Sequence, residues 1–309
     1  MLIFMCLAVL VGGAIPVQTA ANSALRAQLH SPFLATLVNS SIGAVILAVT
    51  LMIAGSALNI NWSGALNAPW WSFGGAPLAV IILMLAMLTM PLLGGVGTAL
   101  AMILGSVGTG MLIDALGLFN APQHVFSAQR AGGLCLTALG LFLMLRLYRF
   151  LGHSRPQFSL KALPGVALGL TAGASQIAQT AVNSELSLHF GSTIPTGFMC
   201  MSLTVVIILC LTALRRESLH PLSTIKVGRS FWILSGGLCG AAFLIVNAYL
   251  LPRVGAGTLV ILNIAGQMAM ALVIDSFGLF RAQKRSISVM EIAGLVIIFA
   301  GIALIKQPV

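Results

Sequence analysis

The segment Gln18-Thr-Ala-Ala-Asn22-Ser-Ala-Leu25 returns 161 positions later as Gln179-Thr-Ala-Val-Asn183-Ser-Glu-Leu186, and no other feature restricts the chain as much. The same offset pairs Gly12 with Gly173, Trp71 with Trp232, Pro91 with Pro252, Gly105 with Gly266, Gly133 with Gly294 and Gly140 with Gly301. It also pairs Ile113-Asp114-Ala-Leu-Gly117-Leu-Phe119 with Ile274-Asp275-Ser-Phe-Gly278-Leu-Phe280. A register held across a whole half means duplication. The Gly-x-Gly-Thr pieces at Gly95 and Gly255 match at 160 instead, which marks a one-residue slip.

The unit that was duplicated is made for lipid. Hydrophobic residues form 59% of the chain and charged residues 6%, against roughly 25% charged in soluble domains. Apolar runs able to cross ~30 Å of hydrocarbon as helices fall at 2–24, 32–54, 74–92, 96–114 and 131–149, then at 163–184, 193–213, 231–251, 255–275 and 288–305. Turn formers such as Ser31-Pro32, Asn67-Ala-Pro69, Asn120-Ala-Pro122 and His220-Pro221 separate them. The expected fold is all-α and integral to the membrane: ten transmembrane helices in two five-helix repeats, 1–150 and 162–309, joined by a basic linker at 151–161. Residues 1–21 lack a basic flank and recur in mid-chain, so they read as the first membrane helix and not as a cleaved leader.

Five crossings is an odd number, so the second repeat must enter from the opposite face, and the two halves are expected to be inverted. Charge gives an independent test, because short loops rich in Lys and Arg stay in the cytoplasm. The 56–73 connection has no basic residue, while its counterpart is framed by Arg215, Arg216, Lys226 and Arg229. Alternating the loops between two sides leaves only Arg130, Arg253 and Lys306 outside and places both termini in the periplasm. The net charge of +10 therefore reads as topology signals facing anionic lipid, and nucleic acid is not expected as a partner. Trp62, Trp70, Trp71 and Phe73 fit an outer aromatic belt, and Phe231 and Trp232 an inner one.

In a chain of this kind the informative side chains are polar ones at membrane depth. Gln18 and Asn22 share one face of the first helix, and Gln176, Gln179 and Asn183 share one face of the sixth. Two readings stand side by side: a substrate cavity on the axis relating the halves, or hydrogen bonds that join helices. Asn39, Ser40, Ser41, Asn247, Asn263 and Gln267 add polar groups unequally between the halves. Asp114 and Asp275 end the fourth and ninth helices, each as a cap of the turn that follows or, for Asp275, as an ion-pair partner of Arg281, Lys284 or Arg285. Asp275, Glu291, Glu185 and, by its repeat, Asp114 are candidates for proton exchange during a transport cycle. The five cysteines lie in apolar stretches without metal-ligand spacing and read as small buried hydrophobes. Gly165, Gly169 and Gly173 form a small-residue stripe for close helix contact, and Pro16 is placed to bend the first helix. No HExxH, GxSxG or Cys-His pair is present, so no enzyme, metal or cofactor is expected.

The run from Gly12 to Pro32, with Pro16, Gln18, Asn22 and Ser31, its repeat, and Gly266-Gln267 followed by Ile274-Asp275 and Gly278 resemble the drug/metabolite transporter superfamily. Within it the chain is similar to the YdcZ-like family in its fused two-domain form. The resemblance implies a bacterial inner-membrane exporter of small metabolites or toxic compounds working by alternating access. Small multidrug members carry a mid-membrane Glu on the first helix, where this chain has Gln18 and Asn22. The two halves already supply the antiparallel pair, which makes a monomer plausible without fixing the oligomeric state. The alternative is a channel-like or non-transporting membrane assembly protein.

Overall fold

The computed structural model describes residues 2–53, 60–123, 128–144, 163–225, 231–281 and 288–305, and among them every regular element is helical. The basic linker expected at 151–161, Lys284 and Arg285 lie outside the described residues, as does the side chain of Asp275. In order the helices are α1 (Leu2–Leu29), α2 (Pro32–Ile53), the short α3 (Trp62–Leu66), α4 (Gly75–Leu116) and α5 (Ala128–Met144). The second half gives α6 (Leu163–Phe190), α7 (Thr193–Leu214), α8 (Ser235–Val254), α9 (Ala256–Phe277) and α10 (Val289–Ile305). Among the described residues, five stretches are long and apolar enough to cross a membrane: Leu2–Leu29, Pro32–Ile53, Thr193–Leu214, Trp232–Val254 and Ala256–Ile274. Three shorter apolar stretches, Trp70–Ala86, Ala101–Leu116 and Val289–Gly301, add to these.

The third and fourth expected runs are joined in α4, which is helical over 42 residues. It is not one straight rod. A Cβ on Gly169 would touch both Thr89 and Ala101, which a straight helix would hold about 18 Å apart. The beginning and end of α4 also meet the same end of α6: Gln179 donates to the Gly75 carbonyl at 2.9 Å, and Asn120, just past the end of α4, donates to Glu185 at 2.9 Å. The chain therefore doubles back between Thr89 and Ala101, where the sequence holds Pro91, Gly94, Gly95 and Gly97, residues that interrupt a helical hydrogen-bond ladder. In the second half the corresponding reversal is an open break at Gly255 (φ 83°, ψ 152°) between α8 and α9. Helix α1, by contrast, runs unbroken through Pro16.

Packing follows the repeat. A Cβ on Gly12 would strike the Asn263 carbonyl, and one on Gly173 would strike the Met102 carbonyl; each of these residues is 161 positions from its counterpart. In the same way Gly266 faces the Val9 carbonyl and Gly105 the Leu170 carbonyl. The first helix of each half thus lies on the fourth segment of the other half, glycine against backbone. Lipid gives no hydrophobic drive between helices, so contact this close, where dispersion and backbone dipoles act at short range, is what holds them. Helices α5 and α10 pair with each other, Gly140 set against the Gly294 carbonyl. Trp71 packs on Phe119 with ring centroids 5.6 Å apart, and Trp232 on Phe280 at 5.2 Å.

The Ile-Asp-x-x-Gly-Leu-Phe segments prove to be helix endings. Gly117 and Gly278 are left-handed (φ 63° and 65°) and their N–H groups bond to Ile113 and Ile274, the usual glycine stop. The capping partner of Asp114, however, is not the turn that follows. Its carboxylate accepts the N–H groups of Ala256 at 2.5 Å and Gly257 at 3.0 Å, at the start of α9 in the other half. Four unpaired N–H groups and the positive end of the helix dipole explain the preference. The Gly-x-Gly-Thr piece at Gly255 is thereby accounted for, since a Cβ on Gly257 would crowd Asp114 and Gly110.

Candidate functional site

Helices α1, α2, α4, α6, α7 and α8 enclose a cavity of about 210 Å³. Gln18 enters it from α1 and Gln176, Gln179 and Asn183 from α6, so the equivalent glutamines of the two repeats face one space. Thr36, Ser40, Thr180, Cys200 and Thr204 supply further polar atoms. Ile15, Val80, Ile82, Met201, Phe243 and Leu244 form the apolar walls, and Gly240 opens room for the Gln18 amide, which a Cβ there would strike.

At one end of this space Asn39 donates its side-chain amide to Asn22, and both press on Gly236. At the other end the equivalent residues make a weaker version. Asn183 lies against Gly75 and donates to the Cys200 sulfur at 3.9 Å, with Cys200 standing where the first half has Asn39. Asn183 lines the cavity, whereas Asn22 is not among its lining residues. Asn263 and Gln267 are not in the lining. Asn263 is buried and donates to Asn247 at 2.5 Å, which joins α9 to α8, and Gln267 is half-buried on α9.

Three of the four described carboxylates are buried, each in a different setting. Asp114 holds the start of α9, as above. Glu291 accepts the Ser288 N–H at 2.8 Å, completing a capping box at the start of α10. Glu185 is 7% exposed, two residues beyond Asn183, with Asn120 donating at 2.9 Å and a ring nitrogen of His189 at 3.3 Å. A wider depression of about 540 Å³ lies where α2 begins and α7 ends, between His30, Phe33, Met84, Leu88, Arg215 and Glu217. Arg215 stacks there over the Phe33 ring at 4.8 Å.

Residues 3–143 and again 164–304 match the family described as "Putative inner membrane exporter, YdcZ". The chain belongs to the YdcZ family. Its two matches coincide with the two repeats, and the family together with the apolar helices makes this a multi-pass inner-membrane protein with a general exporter role. No curated protein matches the chain in sequence. A solved structure described as "Crystal structure of protein" superimposes with a TM-score of 0.71 at 16% identity, over 98% of this chain and 96% of that one. At that identity the likeness is one of fold.

Sequence reasoning singled out the YdcZ-family stripe on α6 and Gln18 on α1, and these residues meet in space. It passed over Cys200, a lone thiol in an apolar run, and Gly240. Cys200 is visible once the repeat is applied to partners as well as to motifs, since it is Asn39 plus 161; Gly240 pairs with Ala79 at that offset and has no such signal.

Proposed function

We propose that this YdcZ-family chain is a secondary carrier that exports a small molecule by alternating access, with Gln18, Gln176, Gln179 and Asn183 as its binding surface. One observation carries the reading: repeat-related Gln18 and Gln179 line the same cavity, as a site on the axis between two inverted repeats requires. In this reading the chain crosses the membrane ten times, the hairpin of α4 supplying two crossings, and both termini are periplasmic. The Asn22, Asn39 and Gly236 cluster is then the cytoplasmic closure, and Asn183, Cys200 and Gly75 form the periplasmic one. Of the described buried carboxylates, Glu185 is the one assigned to proton exchange. It stands on the helix that carries Gln179, between Asn120 and His189, while Asp114 and Glu291 are engaged with helix N-termini.

The test is purified protein in liposomes on a capacitive current sensor, screened with a metabolite panel with and without a pH gradient. Saturable currents that need both compound and gradient are expected, with counterflow in the absence of a gradient. Flux that rises linearly without counterflow would favour a channel, and no flux with any compound would favour a non-transporting assembly role.

A further inference from the structure

We infer that the central cavity takes small uncharged amides, ureas and lactam heterocycles, molecules that present N–H and C=O groups together. The inference rests on the carrier reading above for its biological meaning, but its chemistry comes from the lining. None of the described residues that line the cavity is charged. An ion bound there would surrender its hydration without a counter-charge, which costs several kcal/mol, so both anions and organic cations are disfavoured.

The lining is not merely polar; its donors and acceptors are unequally available. The hydroxyl protons of Thr36, Thr180 and Thr204 are donated to carbonyls of their own helices, at Pro32 (2.9 Å), Gln176 (3.2 Å) and Cys200 (2.8 Å). Each hydroxyl therefore turns oxygen lone pairs toward the cavity. Gln179 commits one of its two amide N–H groups to the Gly75 carbonyl, which leaves its oxygen and one N–H for other partners. The threonine oxygens ask for ligand N–H groups. Gln18 and Gln176 carry NH₂ groups that can answer a ligand carbonyl. The apolar walls suit a flat or compact body between the polar edges.

Size narrows the class. At about 210 Å³ the cavity is below the ~300–1,000 Å³ of drug-sized pockets.

The experiment uses matched probes: nicotinamide and uracil as neutral members, nicotinate and 1-methylnicotinamide as an anion and a cation of similar size, and uridine as an oversized relative. Binding is read as the shift in thermal unfolding midpoint of the purified full chain, and transport as counterflow in proteoliposomes. The neutral pair should raise the midpoint in a saturable way, and the two ions and uridine should not. Thr36→Val and Gln18→Leu, each checked for an unchanged midpoint without ligand, should raise the concentration required about tenfold; if one variant fails to fold, the other decides. Ions acting at equal or lower concentration, uridine matching uracil, or no response to either neutral probe would overturn the assignment. Probes that bind without exchanging would leave the chemical class standing and remove the carrier reading. Counterflow of ions alone would do the reverse.

Discussion

The carboxylate of Asp114 receives the backbone N–H of Gly257 at 3.0 Å, so the last turn of a helix in the first half caps the first turn of a helix in the second. Ala256 contributes a second N–H. Both donors belong to a helix start, where an acidic acceptor is most effective.

Asp114→Ala should lower stability by about 2 kcal/mol, the upper end of what the loss of a helix N-terminal cap costs. Asp114→Asn keeps an acceptor and should cost about half as much. Thermal unfolding in detergent reads both, and identical midpoints for wild type and Asp114→Ala would show the contact to be idle.

Glycine packing offers a comparison within one helix. Gly105 and Gly108 stand one turn apart, yet a Cβ at Gly105 meets the Leu170 carbonyl while one at Gly108 meets nothing within 4 Å. Gly105→Ala should destabilise by about 1–3 kcal/mol, the cost of overpacking; Gly108→Ala should be neutral or slightly stabilising because alanine favours helix. Gly266→Ala, the repeat counterpart, should behave like Gly105→Ala.

Gln179→Leu should abolish transport while the protein still folds. The bond it loses, to the Gly75 carbonyl, is of a kind worth about 0.6 kcal/mol between membrane helices, too little to unfold the chain. Wild-type flux in this variant would return Gln179 to a packing role.

Glu185→Gln should uncouple the carrier. Gradient-driven accumulation should disappear while counterflow persists, because glutamine keeps the hydrogen bond from Asn120 but cannot exchange a proton. Retained accumulation would clear Glu185 of that role.

Topology is checked with reporters. Alkaline phosphatase joined to the C-terminus should be active in intact cells, and green fluorescent protein at the same place dark. Bright fluorescence would break the inverted arrangement.

The repeat made much of this legible, because a duplication fixes which residues are equivalent and equivalent residues met equivalent partners. Gly12 with Asn263 and Gly173 with Met102 are one contact seen twice. What stayed hidden were contacts between segments far apart in sequence. Nothing local to Asp114 points to Gly257, 143 residues on, and nothing in the spacing of Asn263 and Gln267 reveals that Asn263 is occupied by Asn247. Helical periodicity reports which face a residue shares, not which helix that face will meet.

Replacing Asn39 by Cys200 at the equivalent place has a kinetic consequence. One closure is an amide paired with an amide, and the other an amide resting on a thiol at 3.9 Å, a feeble acceptor. In the proposed carrier the two barriers flanking the cavity would then differ in height, and the empty protein is expected to dwell longer with the Asn22 side shut. The two repeats, alike in their glutamines, are unlike at the ends of the space those glutamines share.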